Sequence, residues 1–110
     1  MASDQSFVDY ITDQLSGIPG ISSRKMFGEY AIYVDTKVVA LICDNSLFIK
    51  PTKAGRQFIG KPLEVSPYPG AKPSFQVSDS LEDREWLTKL VILTADELPT
   101  PKPKLKKKSA

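Results

Sequence analysis

Apolar residues recur every four positions at the start of the chain. Phe7, Ile11 and Leu15 form the series, with Val8 beside them and Asp9, Asp13 and Gln14 pointing away. That period is the stripe of an amphipathic helix and predicts one over Ser3–Ser16. Ser3 is placed to cap it, with Asp4 in the first turn, and Gly17 followed by Pro19-Gly20 stops it. The period then falls to two. Ser22–Met26 and Glu29–Asp35 read as one or two strands hinged near Phe27-Gly28, Lys37–Cys43 as a strand apolar on both faces, and Leu47–Lys50 as a return strand stopped by Pro51. Gly28 is costly inside a strand and suggests a bulge or a close backbone approach. The loops at Asp35-Thr36-Lys37 and Asp44-Asn45-Ser46 are too short for parallel crossovers, so the strands form an antiparallel meander of three, or four if the hinge divides the first.

Beyond Pro51 the pattern is more broken. Thr52–Ile59 reads as a short helix with Thr52 as cap and Phe58 and Ile59 docking on the sheet. Lys61–Lys72 holds three prolines and Gly70 and reads as an irregular excursion. Pro73–Val77 alternates as a further strand, its leading proline suiting a strand start or an edge. Asp79–Leu93 reads as a helix, with Asp79 and Glu82 as a capping-box-like start and Trp86, Leu87, Leu90, Val91 and Leu93 as its apolar face; Ala95–Leu98 extends it toward Pro99.

This order predicts an α+β fold, a two-layer sandwich in which the N- and C-terminal helices pack on one face of an antiparallel sheet. Residues 1–98 form the domain, and 99–110 a Pro/Lys-rich tail without core-forming periodicity, expected to be disordered. The second sheet face then carries surplus apolar residues: Tyr33, Val39, Leu41, Cys43 and Phe48. A partner usually covers such a surplus, commonly a second copy, which predicts a homodimer.

Charge divides the chain. Residues 1–101 carry ten basic against 13 acidic residues, a formal −3, while the last nine carry five lysines and no acid, +5. The overall +2 therefore belongs to the tail, and a nucleic-acid argument has to be aimed there. If Lys102, Lys104, Lys106, Lys107 and Lys108 all met phosphates, they would give salt-dependent binding with little sequence choice. A solubilising terminus explains the same lysines equally well. No apolar run approaches the length of a membrane span and no secretory signal opens the chain, which makes the cytoplasm the expected location. The lone Cys43 fits a reducing compartment.

The same inventory argues against catalysis. The sequence has no histidine, which removes the commonest general base and zinc ligand, and no glycine-rich phosphate loop follows a strand. Cys43 on an apolar strand reads as a small core residue. No cofactor or metal is expected, and the prediction is a protein that is not an enzyme. A ligand pocket between sheet and helices near Tyr30, Tyr33 and Asp35 would be the exception. Tyr30, Tyr33 and Phe48 near Arg24, Lys25 and Lys50 could be a stacking platform for single-stranded nucleic acid, but burial under the helices or in an interface is the favoured account. Lys50, Lys53, Arg56 and Lys61 read as a solvated face.

Arg24-Lys25-Met26-Phe27-Gly28, with Tyr30 and Tyr33-Val34-Asp35, is similar to the signature of the TfoX/Sxy N-terminal domain family of bacterial competence regulators. Val39-Ala40-Leu41-Ile42 and Leu47-Phe48-Ile49-Lys50 match its next strands, and Tyr68, Lys72-Pro73 and the helix bearing Trp86 agree in position and type. The ending Leu98-Pro99 with Pro101-Lys102-Pro103-Lys104 resembles the tails of short members. The likeness covers about Ile11 to Leu98. It implies a secretion-chaperone-like α+β domain, usually without enzymatic activity, and a stand-alone member without the second helical domain of the full-length regulators. It also implies a protein-interaction role in transcription, beside a cyclic-AMP-receptor type activator. The family transfers no catalytic residues. Arg24, Lys25, Met26, Phe27, Gly28, Tyr30 and Tyr33 stand as determinants of fold and interface.

Overall fold

The turns dictate most of the sheet. In the computed structural model, which describes residues 4–26, 29–78 and 80–99, the element order is α1 (Gln5–Gln14), β1 (Ile21–Met26), β2 (Glu29–Val34), β3 (Lys37–Cys43), β4 (Ser46–Ile49), α2 (Lys53–Ile59), β5 (Leu63–Val65), β6 (Ser74–Val77) and α3 (Arg84–Glu97). One antiparallel sheet runs in the order β1-β2-β3-β4-β6-β5. Met26 pairs with Glu29, so β1 and β2 are two separate antiparallel strands. Phe27 and Gly28, and with them the expected bulge, lie outside the described residues. In the β3–β4 turn Asp44 and Asn45 have φ of 51° and 56°, the left-handed pair of a tight hairpin that Asp and Asn tolerate.

The helices cover one face, as an α+β two-layer fold requires. Val8, Ile11 and Leu15 of the α1 region meet Leu87, Leu90 and Val91 of α3 in a core with Ile32, Ala40, Ile42, Leu47, Ile49 and Phe75 from the sheet. Thr52 caps α2 through a 2.9 Å bond from the Gly55 N–H to its hydroxyl.

Five details depart from the sequence expectation, each for a local reason. The N-cap position of α1 is Asp4, whose backbone N–H donates to Asn45 Oδ1 at 2.7 Å and ties the helix start to the β3–β4 turn; Ser3 lies outside the described residues. Gln14 does not face solvent but is 7 % exposed, and its amide donates to the Leu81 carbonyl at 2.8 Å.

Leu63–Val65, within the expected irregular stretch, forms an edge strand on β6. Arg56 on α2 pairs with its Glu64 at 2.6 Å and stacks over the Phe75 ring. α3 begins at Arg84, later than expected. Asp83 accepts from the Trp86 N–H at 3.1 Å and so repeats the capping spacing four residues on, while Ser80 at φ 62° cannot belong to a helix; Asp79 lies outside the described residues.

The fifth departure concerns Val39. Ile32 pairs with Ala40 and Tyr33 with Val38, so Val39 is the extra residue of a β-bulge. The bulge puts Val39 and Ala40 both in the helix-side core instead of leaving Val39 on the outer face.

Candidate functional site

The outer sheet face, turned away from the helices, carries the remaining candidate chemistry. A single cross-strand row, Arg24–Ala31–Leu41–Phe48–Gln76–Leu63, runs over all six strands. None of its members belongs to the helix-side core. Residues 66–73 connect β5 to β6, and Pro67 and Tyr68 from this loop share the walls of two grooves with Leu41. The Ser66 hydroxyl donates to the Ala71 carbonyl at 2.8 Å and closes that loop on itself.

Two grooves result, one on each side of Tyr68. The larger, about 550 Å³, is walled by Met26, Leu41, Cys43, Pro67 and Tyr68, with Glu29 and Asp44 at its end. The smaller, about 470 Å³, shares Leu41, Pro67 and Tyr68 and carries Lys50, Lys72 and Leu98. The two form a track along β3, basic at the Lys50 end and acidic at the Asp44 end. Tyr68, 55 % exposed, stands between them.

Cys43 lies in the wall of the larger groove but is itself buried. Burial pushes its thiol above the ordinary value, and the charges of Glu29 and Asp44 push it the same way. A thiol held protonated beside carboxylates is a poor nucleophile. Among the described residues, no group of three or more His, Cys, Asp or Glu side chains is placed to hold a metal ion. None of the helices among them is long and apolar enough to cross a membrane.

The signature residues separate. Arg24 lies 5.7 Å from the Tyr33 ring centroid on the outer face, a cation–π contact, and Met26 borders the larger groove. Tyr30 also borders the larger groove, while it packs against the helix-side core and donates from its hydroxyl to Gln5 Oε1 at 3.0 Å. Lys25, paired with Tyr30, is exposed on β1. Phe48 is 6 % exposed. Tyr30, Tyr33 and Phe48 therefore do not share one stacking surface. The space between sheet and helices is filled by the core, and the grooves lie on the opposite side of the sheet. Of Lys50, Lys53, Arg56 and Lys61, Arg56 is paired with Glu64 and Lys50 borders the smaller groove. The five tail lysines lie outside the described residues.

Sequence reasoning missed the loop that makes the site. Its signal was Pro67-Tyr68-Pro69, an aromatic held between two prolines, which read only as a break in pattern.

An antiparallel sheet backed by helices on one face and grooved on the other defines a two-layer α+β domain. A family profile for the TfoX N-terminal domain matches residues 13–98, and the chain belongs to that family, which is of regulatory type and not a known enzyme family. It is also 43 % identical, over 104 residues, to an uncharacterized 12.7 kDa protein in the trpE 5' region of Spirochaeta aurantia; the match covers 94 % of this chain and 90 % of that relative.

Proposed function

We propose that this protein is a non-enzymatic interaction module that docks a protein partner on its outer sheet face, in a regulatory role close to transcription. The observation that carries the reading is the grooved face itself, where Leu41, Met26, Pro67 and Tyr68 offer apolar contact that the chain leaves partly open. Membership of a regulatory-type family supports the role.

Affinity capture from the native cell tests it, with four baits: wild type, Leu41→Asp, Tyr68→Ala, and Ile92→Asp on the solvent side of α3. A partner held by wild type and Ile92→Asp but lost from the two groove variants supports the reading. Identical captured sets from all four baits would overturn it. Circular dichroism on each bait separates lost binding from lost fold.

Self-association is the form of this reading in which the partner is a second copy; Tyr33 and Leu41, both half-buried on the outer face, support it. Sedimentation showing only monomer at high micromolar concentration counts against it. A second reading, weak nucleic-acid binding, is favoured by the block of five lysines after Pro101 and by exposed Arg24 and Lys25. It requires duplex binding that weakens steeply with salt and disappears when the chain is cut after Leu98.

A further inference from the structure

We propose that the grooved track on the outer sheet face is the docking site of the chain's own C-terminal segment, residues 100–108, lying in an extended polyproline conformation. The inference gives the groove of the functional reading an occupant, and rests on that reading only in using the same surface.

Four observations converge on it. The first is where α3 delivers the chain. Leu98 follows α3 with φ −72° and ψ 139°, polyproline geometry; it packs against the edge of the helix-side core and borders the smaller groove. The chain therefore leaves the helix extended and already at the groove wall.

The second is the sequence that follows. Prolines at 99, 101 and 103 alternate with Leu98, Thr100 and Lys102, and a residue before proline is pushed out of helical geometry toward the extended region. The sequence of residues 98–103 is thus biased toward an extended form, which lowers the entropy cost of the proposed docking.

The third is length. From Val39, whose carbonyl accepts from the Lys50 N–H, five residue steps lead along β3 to Asp44, just past its end. That is about 17 Å at strand rise. Six polyproline steps, Leu98 to Lys104, span about 19 Å.

The fourth is the order of charge. The basic end of the track, at Lys50 and Lys72, meets the neutral Pro99-Thr100-Pro101, and the acidic end, at Glu29 and Asp44, meets Lys104 and the lysines after it. Tyr68 and its flanking prolines supply the aromatic and apolar wall that proline-rich segments use.

The test uses the purified full-length chain. A nitroxide placed at position 109 through Ser109→Cys, in a Cys43→Ala background, should selectively erase the amide signals of Met26, Asp44 and Asn45. Ile92, on the outer side of α3, should keep its signal. The losses should vanish when Lys104, Lys106, Lys107 and Lys108 are all changed to Glu, and at ~1 M salt, where the Debye length is near 3 Å. The same four-Glu tail without label should shift the amide resonances of Leu41, Cys43 and Tyr68 relative to wild type, which guards against a label that disturbs the fold.

Signal loss that is weak, spread over the surface and indifferent to the tail charges would overturn the proposal. So would loss at the groove that persists when labelled tails and isotope-enriched grooves are on different molecules, because the segment would then enter a second copy. These readings need no external partner, so the tail can fail to dock while the capture experiment succeeds, and the reverse.

Discussion

Glu97, in the last turn of α3, caps a different helix: its Oε2 accepts from the Lys53 backbone N–H at 2.8 Å, while its Oε1 accepts from the Ala54 N–H at 2.9 Å. Both donors belong to the first turn of α2, where no intrahelical partner is available to them. The two backbone bonds, Ala54 first and Lys53 second, hold the Glu97 carboxyl below the usual carboxylate range. A carboxyl lowered in the folded state contributes stability above its unfolded value of about 4.3 and loses it as pH falls through the folded value. Glu97→Gln should therefore melt below wild type at pH 7. The gap should close on acidification below about 4. Thermal unfolding across pH measures it, and a gap independent of pH would refute the cap.

Gly55 illustrates a helix glycine that cannot become alanine. Inside a helix the exchange ordinarily gains up to about 1 kcal/mol. Here a Cβ would stand 2.7 Å from the Thr52 hydroxyl that caps the same helix, with Leu90 and Phe75 packed behind. Gly55→Ala should destabilise, against its helix propensity. Gly17, with nothing within 4 Å of an added Cβ, should accept alanine at little cost. Denaturant midpoints of the two variants should move by clearly different amounts.

Leu90 is 0 % exposed and sits where α3 meets α2 and the sheet. Leu90→Ala removes buried surface and leaves a hole that a packed sheet cannot close, so the expected loss is about 2–5 kcal/mol. Urea unfolding at equilibrium should show it as a lower midpoint with an unchanged slope.

The Arg84–Asp13 contact should matter much less. It spans 3.1 Å between side chains 51 % and 72 % exposed, where water screens the pair. Arg84 also donates to the Asp13 backbone carbonyl at 2.9 Å, a bond that survives loss of the carboxylate. Asp13→Asn should change stability by less than about 0.5 kcal/mol, which a denaturant series compared with Leu90→Ala will resolve.

The sequence revealed the meander because its turns are chemically explicit. Asp35-Thr36 and Asp44-Asn45 interrupt alternating runs with residues that tolerate left-handed backbone, and the strands pair around them as expected. Thr52 announced α2 for a similar reason. The β5 strand was hidden because prolines and Gly70 surround three residues whose pairing is non-local, fixed by β6 and by the Arg56–Glu64 contact. The start of α3 was ambiguous because Asp79 and Asp83 both offer capping spacing, and only the backbone at Ser80 decides between them. A β-bulge leaves no compositional mark when both strand faces are apolar, so Val39 looked like outer-face surplus. The candidate site was legible only in part. Leu41 and Cys43 could be placed from alternation, but the loop carrying Tyr68 acquires meaning only once it shares a groove with them.

The bulge at Val39 gives β3 two phases. Before it, Lys37 points to the helices, its ammonium donating to the Ala95 carbonyl at 2.8 Å; after it, Ala40 and Ile42 do. Deleting Val39 would leave Ile32 opposite Ala40 and Tyr33 opposite Val38, with every other side chain on its present face and one core residue fewer. Ironing the bulge out without a deletion would do more, because a regular strand that kept Lys37 and Val39 inward would also turn Leu41 and Cys43 inward and Ala40 and Ile42 out. The extra residue is thus what lets one strand serve the core on both sides of position 39 and still present Leu41 and Cys43 to the grooved face.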